Sequence, residues 1–185
     1  MLFRSAIEQF ETVQRKFAGK GSAGANADNG LCAAYSGLGR HDQAIATCER
    51  IVRDPRRVDK NGSAWFNLAS SYLAKRQTGR ARSASNEYVR IRRGEARGHI
   101  LLGDAYFMDE NWNAALEEYN RAEALLRPDQ DRDRAAISIK IGKTYRRLPA
   151  PDAKTAARNL ELALTKLETG FAKNRRSRDL GIELS

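Results

Sequence analysis

Small, aliphatic and aromatic residues recur along this chain at three- and four-residue steps, the period of helices that bury one face. Polar and glycine- or proline-containing breaks interrupt them. The clearest stretch runs from Ala96 to Pro128. Around Tyr106 it sets Leu102 four residues back, Gly103 three back, Ala115 nine ahead, Tyr119 thirteen ahead and Ala122 sixteen ahead. That spacing predicts two short helices in a hairpin. Gly103 and Ala115 lack bulk, so the helices approach closely there, while Leu102, Tyr106 and Tyr119 fill the space around the contact. Asn111 and its neighbours supply a polar turn, and Pro128 ends the second helix.

The same arrangement returns along the chain. Tyr72 lies 34 residues earlier and carries Trp65, Leu68 and Ala69 at the offsets of His99, Leu102 and Gly103. Tyr35 has Leu31 and Cys32 behind it and Ala44, Cys48 and Ile51 ahead. Tyr145 has Ile141 and Gly142 behind it, with Ala156, Leu160 and Ala163 ahead at offsets two residues longer. Four tyrosines spaced 37, 34 and 39 residues apart make a repeat rather than a coincidence of composition. The pattern resembles the tetratricopeptide repeat, a helical pair of about 34 residues written W-x2-L-G-x2-Y, then A-x3-F, then P. His99 stands where that family prefers Trp, and Pro128 comes one residue late. The resemblance spans roughly residues 25 to 165. It implies an all-α fold, a right-handed superhelical solenoid of antiparallel helix pairs with four recognisable repeats and a partial one at the N-terminal end. It points to a bacterial domain or fragment.

The expected organisation follows from these landmarks. Residues 1–17 read as the second helix of a partial repeat, because Ala6, Phe10 and Val13 copy the spacing of Ala115, Tyr119 and Ala122. The chain is therefore expected to begin inside a longer protein. Residues 18–26 are glycine-rich and read as a flexible connector. The repeats follow at 27–58, 62–95, 96–129 and 133–168, and 169–185 reads as a basic cap or the start of a further repeat. In the second repeat either Ala81 or Ala84 serves as the close-contact alanine.

Composition adds charge. Thirty-three Lys and Arg against 23 Asp and Glu leave a formal charge of +10, a balance that favours anionic partners of any kind. No apolar run approaches the roughly 20 residues of a membrane-spanning helix. The first residues lack the apolar core and cleavage site of a secretory signal. Cys32 and Cys48 fall on facing inner positions of one hairpin. The favoured reading is two buried free thiols acting as small apolar residues. A disulfide between them implies an oxidising compartment such as a periplasm.

Catalytic signals are thin. His41 and His99 are the only histidines, and each fits the repeat pattern. Cys32, His41, Cys48 and His99 lack paired metal-ligand spacing, so no metal and no cofactor is expected. Gly142-Lys143-Thr144 sits within a helix, with Ile137 in place of the first glycine of a phosphate loop. The expectation is a non-enzymatic scaffold.

In the tetratricopeptide family the first helices line a concave groove. The residues at its inner offsets in this chain include Asn29, Phe66, Ser70, Leu73, Arg97, Ile100, Asp104, Phe107, Met108, Ile139, Lys143, Arg146 and Arg147. This set turns apolar in the middle and basic at the end. It complements another protein, as a peptide or amphipathic helix with an acidic end, within a larger bacterial assembly such as secretion, pilus assembly or polysaccharide export. Only Asn67 and Arg97 match the family's set for gripping a C-terminal carboxylate, since Asn29, Ala33 and Leu101 stand at the other positions. The rival reading takes Arg76, Arg80, Arg82, Arg90, Arg92, Arg93 and Arg97 as a site for an anionic polymer, nucleic acid or acidic polysaccharide. Aromatic residues for base stacking do not interleave with them, so nucleic acid is the less favoured partner. A third reading is a regulatory domain of a larger enzyme. The compartment, cytoplasm or periplasm, is left open.

Overall fold

The computed structural model describes residues 2–17, 21–54 and 62–183. Among these are nine helices and no strand: α1 (Leu2–Phe17), α2 (Gly21–Gly37), α3 (His41–Arg53), α4 (Ser63–Ala74), α5 (Thr78–Ile91), α6 (Ala96–Met108), α7 (Trp112–Leu125), α8 (Asp131–Tyr145) and α9 (Ala153–Glu183). They divide between two compact units, Met1–Arg93 and Gly94–Ser185. Within each unit successive helices pack on one another, α1 to α5 in the first and α6 to α9 in the second.

The recurring tyrosines organise the turns as well as the cores. The amides of Arg40, Gln77 and Asn111 donate to the carbonyls of Tyr35, Tyr72 and Tyr106 at 2.9, 2.8 and 2.9 Å. One residue earlier, the amides of Gly39, Arg76 and Glu110 donate to Ser36, Leu73 and Phe107. This is the Schellman arrangement, which satisfies the orphan carbonyls of a helix end by passing through one left-handed residue. Gly39, Arg76 and Glu110 occupy that position with φ of 71°, 56° and 59°. In the first unit the tyrosine hydroxyls also tie each pair to the preceding helix. Tyr35 donates to Glu11 Oε1 at 2.7 Å, and Tyr72 donates to Glu49 Oε1. Burial and then those glutamates push both phenols up to about 12.

A second column sets how closely the helices of a pair approach. A first-helix residue and the residue sixteen later are Cys32 and Cys48, Ala69 and Ser85, and Gly103 and Tyr119, and all but Gly103 are at most 2% exposed. A small partner faces a large one, or two middling ones meet. Tyr119 lies so close that a Cβ added at Gly103 would stand 2.4 Å from its ring. In the first pair the two residues are bonded: Cys32 and Cys48 form a disulfide with Cα atoms 5.2 Å apart. The free-thiol expectation is therefore overturned. The hairpin brings the two Cβ atoms face to face at the pair's closest approach, where sulfur atoms bond as readily as they pack.

Three further expectations are corrected. The segment 18–26 was expected to be a connector, yet α2 starts at Gly21. Tertiary packing overrides the weak helix propensity of this glycine-rich stretch. Gly30 lets the Phe10 ring lie against α2, and buried Asp28 accepts from Gln14 and Arg50 at 2.6 Å each. In the last pair Gly142 faces Leu167 and the Ala163 carbonyl, and Gly170 faces Ile139. The contact residues are thus Ala163, Leu167 and Gly170, seven positions beyond Ala156, Leu160 and Ala163. Both triplets lie on one helical stripe, and only the later one places a residue without a side chain against Ile139. Leu160 and Leu164 are left 60% and 58% exposed. Finally, the tail from residue 169 is no separate element among the described residues, because α9 runs unbroken to Glu183. In the second pair Ala81 and Ala84 are both buried, so the ambiguity there resolves to both.

Candidate functional site

In the second unit, α6 and the end of α8 enclose a recess of about 620 Å³ lined by Phe107, Lys143, Arg146 and Arg147. The helical period explains the convergence. Lys143 and Arg146 lie four and seven residues beyond Ile139, and Ile100 lies seven before Phe107, so each set shares a face. Ile100 and Phe107 pack partly on the core of Ala115, Tyr119, Ala122, Ile137 and Ile141, which fixes their backbone. Phe107 is held on its other side by Trp112 at the start of α7, the ring centroids 4.9 Å apart and the planes 73° apart. Asn111 caps α7 by accepting from the Ala114 amide at 3.3 Å, and so positions Trp112.

The electrostatics of the recess are one-sided. Lys143, Arg146 and Arg147 are exposed and share no ion pair with a described residue. Asp104, the acidic residue on the same face of α6, is already engaged: it accepts from the Tyr119 hydroxyl at 2.7 Å and from Lys140 Nζ at 2.5 Å. Burial, reinforced by Asp104, raises the Tyr119 phenol above its ordinary value, so it stays a donor. Three cations therefore surround an aromatic floor with no carboxylate of the described residues paired to them. Such a place accepts carboxylates or other anions next to an apolar group.

The other residues of the sequence-derived groove divide between the units. In the first unit, Leu73 is 8% exposed and belongs to the core rather than to an open wall. Phe66 leans on the Tyr88 ring at 5.4 Å, and the Ser70 hydroxyl donates to the Phe66 carbonyl at 2.9 Å. Asn29 is half-buried, and its Oδ1 has no hydrogen-bond partner among the described residues. In the second unit, Arg97 is exposed, Ile100, Met108 and Ile139 are half-buried, and Asp104 is a structural acceptor. Trp112 was missed by the sequence reading, which assigned contacts to first helices only. The one available signal was its place directly after the Asn111 cap.

The arginines of the rival site are largely spent on neighbours. Arg80 pairs with Glu49 and lies 4.3 Å above the Tyr72 ring, and Arg90 pairs with Glu87 at 2.9 Å. Arg82 and Arg92 also have partners. His99 binds Glu118 at 2.7 Å inside the α6–α7 pair, and Arg121 donates to the same carboxylate at 2.7 Å. Among the described residues no group of three His, Cys, Asp or Glu side chains is placed to hold a metal ion. No helix there is long and apolar enough to cross a membrane.

No protein-family model and no curated protein sequence matches the chain. Solved structures do. The crystal structure of MamA superposes with a TM-score of 0.74 at 16% identity, covering 96% of this chain and 91% of that one. TTC0263, a thermophilic TPR protein of Thermus thermophilus, gives 0.67 at 17% identity over 98% and 88%. The fold is that of the tetratricopeptide repeat. A putative kinesin light chain of Podosopora anserina with nearly identical TPR-like repeats is similar too, at 0.65 and 19% identity over 95% and 88%. Tetratricopeptide-repeat folds serve in general as scaffolds for protein–protein interaction.

Proposed function

We propose that this tetratricopeptide-repeat chain is a non-enzymatic scaffold that holds a segment of another protein in the recess of its second unit. The occupant is an extended peptide or amphipathic helix with an apolar or aromatic residue beside an acidic end. The observation that carries this reading is the set of three cations around Phe107 that pair with no described residue, with the nearby Asp104 neutralised by Lys140. The apolar residue would lie on the Phe107–Trp112 pair, and Lys143, Arg146 and Arg147 would meet the carboxylates. A large bacterial assembly is the setting that the fold resemblance suggests for such a scaffold.

The test is affinity capture from lysate with three baits: wild type, Phe107→Ala, and Arg146→Glu with Arg147→Glu. Each bait is first verified as folded by circular dichroism. Leu73 is unsuitable as a probe because a charge there would enter the core. A protein partner kept by wild type and lost by both variants supports the reading. Material kept by all three and released by nuclease or salt would instead assign binding to an anionic polymer.

A further inference from the structure

The Cys32–Cys48 bond occupies the position where the other pairs rely on packing. Pair three closes with Gly103 against the Tyr119 ring, and at the equivalent positions pair two has the buried Ala69 and Ser85. In pair one the two sulfur-bearing residues hold this place, and both are 0% exposed. The helix carrying Cys32 is also the weakest helix former in the chain's first unit. Four of the seventeen residues of α2 are glycines, and each glycine inside a helix costs about 1 kcal/mol relative to alanine. α2 is otherwise tied to its neighbours by the apolar cluster of Ile7, Leu31, Ala34, Tyr35 and Ala44 and by a small set of polar contacts, Asp28 to Gln14 and Arg50, Tyr35 to Glu11 and Ser71 to Ser36. A staple across a sixteen-residue separation removes much of the freedom that an open α2–α3 hairpin would have. Two separate thiols restore that freedom.

We propose that an oxidation step completes and locks the fold of the first unit. The chain acquires the Cys32–Cys48 bond by thiol–disulfide exchange before α2 closes on α3, and a dithiol reductant releases the pair again. The balance is that of exchange. A thiolate of one cysteine attacks the disulfide of an oxidised dithiol donor, giving a mixed disulfide. The thiolate of the second cysteine then attacks the mixed disulfide, Cys32 and Cys48 are joined, and the donor leaves as two thiols carrying two electrons. Because neither residue is exposed in the closed pair, exchange in either direction proceeds only through an opened α2–α3 hairpin. The chain therefore belongs where such donors operate, in an oxidising folding environment.

The test is amide hydrogen exchange followed by mass spectrometry on the full chain, oxidised and after dithiothreitol, with α6 and α7 as a cysteine-free reference in the same molecule. Alkylation confirms that both thiols are free after reduction. The expected result is a fall in protection of α2 and α3 on the order of 100-fold, with the reference unchanged. A Cys32→Ala, Cys48→Ala variant should match the reduced protein and ignore dithiothreitol. Protection of α2 and α3 unchanged in the fully reduced protein would overturn the proposal. So would a double-alanine variant as protected as the oxidised chain.

Discussion

Gly103→Ala is the most demanding test of how the helix pairs are built. Taken alone, the change favours the helix by up to about 1 kcal/mol, because alanine loses less conformational freedom than glycine in a helix interior. The new Cβ, however, would stand 2.4 and 2.5 Å from Cε1 and Cδ1 of Tyr119. Relief needs a displacement of about 1 Å to reach ordinary contact distance. The ring has little room to move, since it is 2% exposed and its hydroxyl is held by Asp104 at 2.7 Å. Overpacking of this kind costs about 1–3 kcal/mol, and the upper end applies where the neighbour is pinned. The net expectation is a loss of about 2 kcal/mol once the propensity gain is subtracted. Gly79→Ala is the matched control, because a Cβ there meets nothing within 4 Å. It should be neutral or stabilising by up to about 1 kcal/mol. Urea unfolding followed by far-ultraviolet circular dichroism measures both. If Gly103→Ala proves as harmless as Gly79→Ala, close approach at Gly103 is not what sets the α6–α7 spacing, and the contact column loses its meaning.

Two further outcomes follow from the turns and the tyrosines. Arg76 and Glu110 adopt the left-handed conformation that Gly39 adopts at the equivalent turn, so Glu110→Gly should raise stability by about 0.5–1 kcal/mol in the same assay, and a loss would show that the Glu110 side chain has an unrecognised partner. Tyr35 and Tyr72 have phenols raised from 10.0 to about 12, so the folded state holds their protons more tightly than the unfolded chain does. Their contribution is complete below pH 10 and is lost as pH rises toward 12. Unfolding free energy measured across that window should fall less steeply in a Tyr35→Phe, Tyr72→Phe variant than in wild type.

The tyrosine column was legible in the sequence because its spacing is set by the helical period and by a turn of constant form. Tyr35, Tyr72 and Tyr106 each sit five residues before the amide that closes the turn. The register of α9 was not legible, because Ala156, Leu160 and Ala163 differ from Ala163, Leu167 and Gly170 by two helical turns and present the same stripe. Only the three-dimensional pairing of Gly142 with Leu167 and of Gly170 with Ile139 separates them. The glycines of α2 pointed to a linker, and its helical state depends on Phe10, Gln14 and Arg50, which are distant in sequence. Of the candidate site, the basic end at Lys143, Arg146 and Arg147 followed from repeat offsets. The neutralisation of Asp104 by Lys140 and the support of Phe107 by Trp112 did not, since both depend on side-chain reach between helices.

The most direct measurement of the central claim is selection of short random peptides, displayed on phage, against the full chain and against a Lys143→Glu, Arg146→Glu, Arg147→Glu variant that retains its helical content. The account predicts that wild type enriches peptides pairing aspartate or glutamate with an apolar or aromatic residue. Their affinity should fall about tenfold or more with Phe107→Ala, and the triple variant should turn the preference to basic peptides. Enriched peptides that bind wild type and the triple variant equally, or that carry no acidic residue, would contradict it.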